Sequence, residues 1–264
     1  MDPFIAKWLL SLLVGIVWVA VATTIAERVS GKLGGLIVGL PSTAVVSLLF
    51  IGLTQGVPAA MTAAVIMPYS SGLYCTFFLT YLWLTKKSFS VGLIFSLIIW
   101  LLFASLAAAF PVRDIYLSAF VWLVLVTLSI VYAVKKLPIN HQLIPAKIVK
   151  TPLWLKATLS GAVISAIVLI SKLAGPTWGG IFGTFLALTV STFLVTIKSG
   201  GTEFTRLIAK NVLISTTTTI GIYAILNYFL LPAFGIILST ILAYIGLLLI
   251  SLPLYFGVFE KIKD

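Results

Sequence analysis

Runs of about twenty apolar residues recur along the whole chain, separated by short groups of charges and turn formers. Each run is long enough to cross a hydrocarbon core of roughly 30 Å as a helix. The breaks are ERVSGK, TQGVP, TKKS, PVRD, the long KKLPINHQLIPAKIVKTP, KLAGPT, KSGGTE and LLPAFG. They predict nine spans, at about residues 4–26, 33–54, 57–84, 89–110, 115–134, 154–174, 177–198, 206–230 and 233–257. The last break rests on Pro232 and Gly235 alone, yet residues 207–256 are far too long for one span. The two-residue alternation of a transmembrane barrel strand is not the pattern here. The expected fold is an all-α polytopic membrane protein with nine transmembrane helices.

Composition agrees with the pattern. Of 264 residues 61% are hydrophobic and 9% charged, with mean hydropathy +1.22, whereas a soluble domain carries about a quarter charged residues. The opening MDPFIAKWLLSLLVGIVWVAVATTIA lacks a cationic leader and a small-residue cleavage site, so it is expected to be a retained first span.

The net charge of +11 at first suggests nucleic acid. Its distribution removes that suggestion. With nine spans, Lys7, Arg113 and Lys172 fall on one side, and the other 14 of the 17 Lys and Arg fall opposite. Cytoplasmic loops carry such an excess, so the expected orientation has the N-terminus outside and the C-terminus in the cytoplasm of a cell membrane. The basic loop from Lys135 to Lys156 also suits anionic lipid. Membrane lipids and a small-molecule substrate are the expected partners, and oligomeric state is not legible.

The chain also repeats itself. Gly31, Gly35 and Gly39 match Gly175, Gly179 and Gly183 at an offset of 144. At 145, Gly56 meets Gly201, Ser70 meets Ser215 and Phe89 meets Phe234, and the spans of the two halves overlay without a gap. Residues 1–112 and 151–264 therefore read as two four-helix repeats, joined by a linking helix and basic loop over 113–150. Four spans return the chain to its starting side. One linking span then crosses, so the second copy must begin on the opposite face. These are expected inverted-topology repeats, an arrangement that places transporter sites near the midplane at interrupted helices.

The candidate site follows from that expectation. In span 2, Pro41 falls roughly 12 Å along the helix at 1.5 Å per residue, and it frees a backbone carbonyl. Ser42 and Thr43 follow it. Span 3 repeats the device with Pro68, Tyr69, Ser70 and Ser71. The second half offers Thr189, Ser191 and Thr192 in span 7, and Asn211, Ser215 and Thr216 in span 8. A hydroxyl-lined, substrate-binding pocket from spans 2, 3, 7 and 8 is the expectation. The glycines at 31, 35, 39, 175, 179 and 183 are assigned to helix packing, and Glu27 and Lys172 to coupling or gating. No carboxylate or histidine falls at mid-span, His141 is the sole histidine and Cys75 the sole cysteine. No catalytic residue, metal or cofactor is therefore expected.

GGLIVGLPSTAVVSLLFIG in the first half and GGIFGTFLALTVSTFLVTI in the second resemble the small GlpM-type membrane proteins, a family without established biochemical function. The second copy departs from the pattern, with Leu186 near the place of Pro41. The resemblance implies a duplicated four-helix ancestor and brings no site residues. The expected function is a permease for a small organic solute, working by alternating access and not as an enzyme. A lipid flippase, an ion channel and an accessory subunit are the alternatives.

Overall fold

Every element is helical in a computed structural model of the chain, which describes residues 3–28, 40–139, 152–184, 187–254 and 257. The helices are α1 (Pro3–Arg28), α2 (Ser42–Gln55), α3 (Val57–Leu84), α4 (Phe89–Ala109), α5 (Ile115–Lys136), α6 (Leu153–Ala174), α7 (Pro176–Thr184) and α8 (Ala187–Leu254). Among the described residues, six stretches are long and apolar enough to cross a membrane, and α2 is a shorter apolar helix. The chain is compatible with a membrane-embedded protein on these grounds.

Helix α8 is not one rod. Gly201 (φ 71, ψ −172) and Gly235 (φ 67, ψ −175) divide it into limbs at 187–200, 202–234 and 236–254. Gly56 (φ 90, ψ 171) and Gly175 (φ 97, ψ 160) adopt the same backbone at the joints before α3 and α7. This region of backbone space is essentially closed to residues with a Cβ. Pro58 and Pro176 then stand in the first turns of the next helices, where a missing N–H costs nothing. The described elements thus number eight. Expected span 7 is shared between α7 and the first limb of α8, and expected spans 8 and 9 are the second and third limbs.

Helix α3 sits at the centre, packed by α2, α4, α5, α7 and α8. Its partners cross it closely because small residues meet. A Cβ at Gly180 would lie 2.5 Å from the carbonyl oxygen of Ala63, and one at Gly72 would lie 3.2 Å from the Cα of Trp122. Helices α1 and α6 form a second tight pair: a Cβ at Gly15 would stand 3.0 Å from the Cα of Gly161. Trp8 Nε1 also donates to the Ser165 carbonyl at 2.9 Å. These contacts run antiparallel, with position falling on α6 as it rises on α1. So do α2 and α7, where Gly179 faces Ile51 and Gly183 faces Ser47.

The outward faces of α1, α4, α5 and the last limb of α8 are apolar and exposed. Leu13 and Val17, Ile98 and Leu102, Phe120 and Leu128, and Ile237 and Leu249 all lie there. An apolar belt of this extent suits lipid rather than water. Lys7, Arg113 and Lys172 lie at the end of the bundle holding the α4–α5 loop. Lys86, Lys87, Lys135, Lys136, Lys198 and Arg206 lie at the other.

Candidate functional site

Pro68 lies inside α3 in the middle of the packed bundle and cannot donate to the Ala64 carbonyl four residues back. A hydroxyl from another helix reaches the backbone of this turn. Ser118 Oγ, on α5, accepts from the Tyr69 amide at 3.1 Å and donates to the Val65 carbonyl at 2.6 Å. A side chain inserted into the helix ladder is a recognised cause of bending. It also satisfies backbone that hydrocarbon would leave bare.

One turn further on, two hydroxyls leave α3 for its neighbours. Ser70 Oγ lies 2.9 Å from Thr184 Oγ1 at the end of α7. Ser71 Oγ donates to Pro68 O at 2.9 Å and to Thr217 O at 3.4 Å on α8. Trp122 Nε1 donates to the same Thr217 carbonyl at 3.0 Å. Ser118 and Trp122, four apart on α5, thereby tie this helix to both α3 and α8.

Of the other expected site residues, Ser215 turns back on its own helix and donates to Asn211 O at 2.7 Å. The backbone carbonyls of Thr216 and Thr192 accept from Thr219 at 3.1 Å and Thr196 at 2.7 Å, and Thr217 donates to Leu213 O. Such back-bonding lets a hydroxyl stay in an apolar helix without a pocket. Thr189 is buried, and the side chain of Ser191 lies outside the described residues. Pro41 precedes α2, Ser42 opens it, and Thr43 is buried with no hydrogen-bond partner for its hydroxyl among the described residues. Gly31, Gly35, Gly39 and the Glu27 side chain lie outside the described residues. Gly179 and Gly183 are buried in the α7 contacts, whereas Gly175 forms a joint with nothing within 4 Å of a notional Cβ. Lys172 is exposed, its Nζ 5.5 Å from the centroid of the Phe4 ring.

A half-open cavity of about 460 Å³ lies nearby, at the α4–α5 end. Met61, Thr62, Val65 and Ile66 of α3 form one wall, and Pro111 to Arg113 form the lip. Thr177 of α7 and Tyr228 of α8 complete it. None of the hydroxyls expected from the sequence lines it. The two regions are nevertheless joined, because Val65 both lines the cavity and gives its carbonyl to Ser118.

Aromatic side chains gather toward the opposite end. Tyr81 and Phe193 stack with centroids 4.3 Å apart, and Phe77, Phe78 and Phe89 extend the layer. Behind it Arg206 is 2% exposed and paired with Glu203. Its Nε and Nη2 donate to Leu82 O and Pro138 O, each at 3.3 Å. The sequence marked Arg206 only as one cation among many. Ser118, Trp122 and Arg113 were likewise unremarked as site residues, for single polar groups at span ends or on a linking helix carry no motif. Among the described residues, no three His, Cys, Asp or Glu side chains gather as a metal site would require.

Residues 8–115 match a family described as "Protein of unknown function (DUF3147)". The match takes in all of α2, α3 and α4, most of α1, and the first residue of α5. No curated protein and no solved structure matches the chain.

Proposed function

We propose that the chain is a membrane transporter for a small organic solute, built from two inverted four-helix repeats and working by alternating access. The observation that carries this reading is the half-open cavity, which reaches the Pro68 turn of α3 at Val65. Beyond that turn stand the stacked aromatic rings and Arg206. A cavity of about 460 Å³ falls in the range of small-molecule sites, roughly 300–1,000 Å³.

The repeat reading has several supports. Gly56 and Gly201, 145 residues apart, adopt the same backbone. Helices at equivalent places pack on each other: α1 on α6, and α3 on α8. Trp122 touches Gly72 and Thr217, again 145 apart, where a two-fold axis would pass. The family match ends where the first repeat would. A duplicated ancestor like the GlpM-type proteins is consistent with it.

The three cations at the α4–α5 end, against the many opposite, favour an N-terminus outside and a C-terminus in the cytoplasm. The cavity then faces outward. The test is transport itself. Proteoliposomes are incubated with the small-molecule fraction of a cell extract, and their contents are compared by mass spectrometry with those of empty liposomes. Enrichment of a solute is expected, and its loss when Tyr81→Cys and Phe193→Cys are oxidised together, with recovery on reduction. A protein that enriches nothing overturns the reading.

A further inference from the structure

We propose that the half-open cavity is an anion site, which takes a small organic molecule with one acidic head and an apolar body. The inference rests on the transport reading only for where the bound molecule goes next; the recognition stands on the cavity. Arg113 is the one charged residue among those lining it. The adjacent carboxylate, Asp114, is not among the lining residues; it is turned to the start of α5, which it caps by accepting from the Leu117 amide at 2.8 Å. The lining itself therefore carries a positive charge and no acid. A guanidinium offers a planar fork matched to carboxylate, sulfonate and phosphate oxygens.

A second, independent feature points the same way. Thr177 lines the cavity from the first turn of α7, a helix of nine residues. First-turn amides lack partners inside their helix and carry its positive dipole end. Thr62, Thr177 and Tyr228 add hydroxyls to this cationic wall. Met61, Val65, Ile66 and Val112 supply the rest of the lining, so a ligand must bring apolar surface along with its charge. Inorganic anions lack that surface, and lipids exceed the volume.

The experiment uses benzenesulfonate, a permanent anion, and benzenesulfonamide, its neutral near-isostere. Both are measured by equilibrium dialysis against the purified full chain and its Arg113→Gln and Arg113→Lys variants. Wild type should prefer the anion about tenfold, as one charge-assisted contact provides. Arg113→Gln should bind the two probes alike, and Arg113→Lys should keep a preference. Arg113 is exposed at the lip, so unliganded melting temperatures should agree among the three proteins. Equal binding of both probes by wild type, a preference unchanged in Arg113→Gln, or no saturable binding of benzenesulfonate overturns the proposal. Anion preference without flux in proteoliposomes instead counts against transport alone, so the two failures are distinguishable.

Discussion

Ser118 shows how one hydroxyl can support a helix that proline has opened. Replacing it by alanine leaves the Tyr69 amide and the Val65 carbonyl without the bridge between them. A buried polar group deprived of its partner costs about 1–3 kcal/mol, so Ser118→Ala should lower the melting temperature of the purified protein measurably. In a Pro68→Ala background the ladder can close by itself, and the same substitution should then cost less than half as much. Equal losses in both backgrounds would mean that the hydroxyl contributes only packing. Arg206 presents the charged version of the same logic. Its guanidinium is 2% exposed and satisfied by Glu203, Leu82 O and Pro138 O. Arg206→Met should cost about 3–5 kcal/mol, because it breaks a buried ion pair and removes the donor from the Leu82 and Pro138 carbonyls. Adding Glu203→Gln should restore part of the loss. A double variant as unstable as the single one would show that the carboxylate is not what suffers.

Between residues and bundle stand the joints. Gly56 and Gly201 carry φ of 90 and 71 with nearly extended ψ, and neither has a neighbour pressing on the place of a Cβ apart from Pro58, 3.7 Å from that of Gly56. Gly56→Ala and Gly201→Ala should therefore each cost about 1–3 kcal/mol through backbone strain rather than collision. Gly180→Ala should be damaging for the other reason, since its Cβ meets the Ala63 backbone. Thermal unfolding of the three variants checks this. An unaffected Gly201→Ala would mean that the joint relaxes into a continuous helix. Much of this level was legible beforehand: TQGVP, KLAGPT, KSGGTE and LLPAFG each contain a joint glycine, because apolar length and glycine position are local properties. The site was less legible. Pro68, Ser70 and Ser71 stood out, but their partners Ser118, Thr184 and Thr217 come from three other helices, and no local pattern pairs them. The hydroxyls of 215–219 raise a related difficulty. A threonine that bonds its own helix and one that faces a pocket are spelled alike.

At the scale of the whole molecule the decisive quantity is the parity of the spans. If residues 1–112 are a complete four-helix repeat, a chain ending there returns to the side on which it began. If α5 is a linking span, a chain ending at residue 139 has crossed once more. The charge distribution gives the direction, because Lys7 and Arg113 lie at one end and Lys86, Lys87, Lys135 and Lys136 at the other. Alkaline phosphatase, active only outside the cytoplasm, should thus be active when fused after residue 112 and inactive after residue 139. It should be inactive again at the C-terminus, since four further spans restore the cytoplasmic side. A green fluorescent protein fused at the same places should give the complementary pattern. Activity at the C-terminus would require an odd number of spans beyond residue 139. The second half would then no longer be an inverted copy of the first, and the correspondence of Gly56 with Gly201 would need another origin. Inactivity after residue 112, with the other two results unchanged, would instead leave α1 to α4 with an odd count and remove the basis for treating α5 as the link.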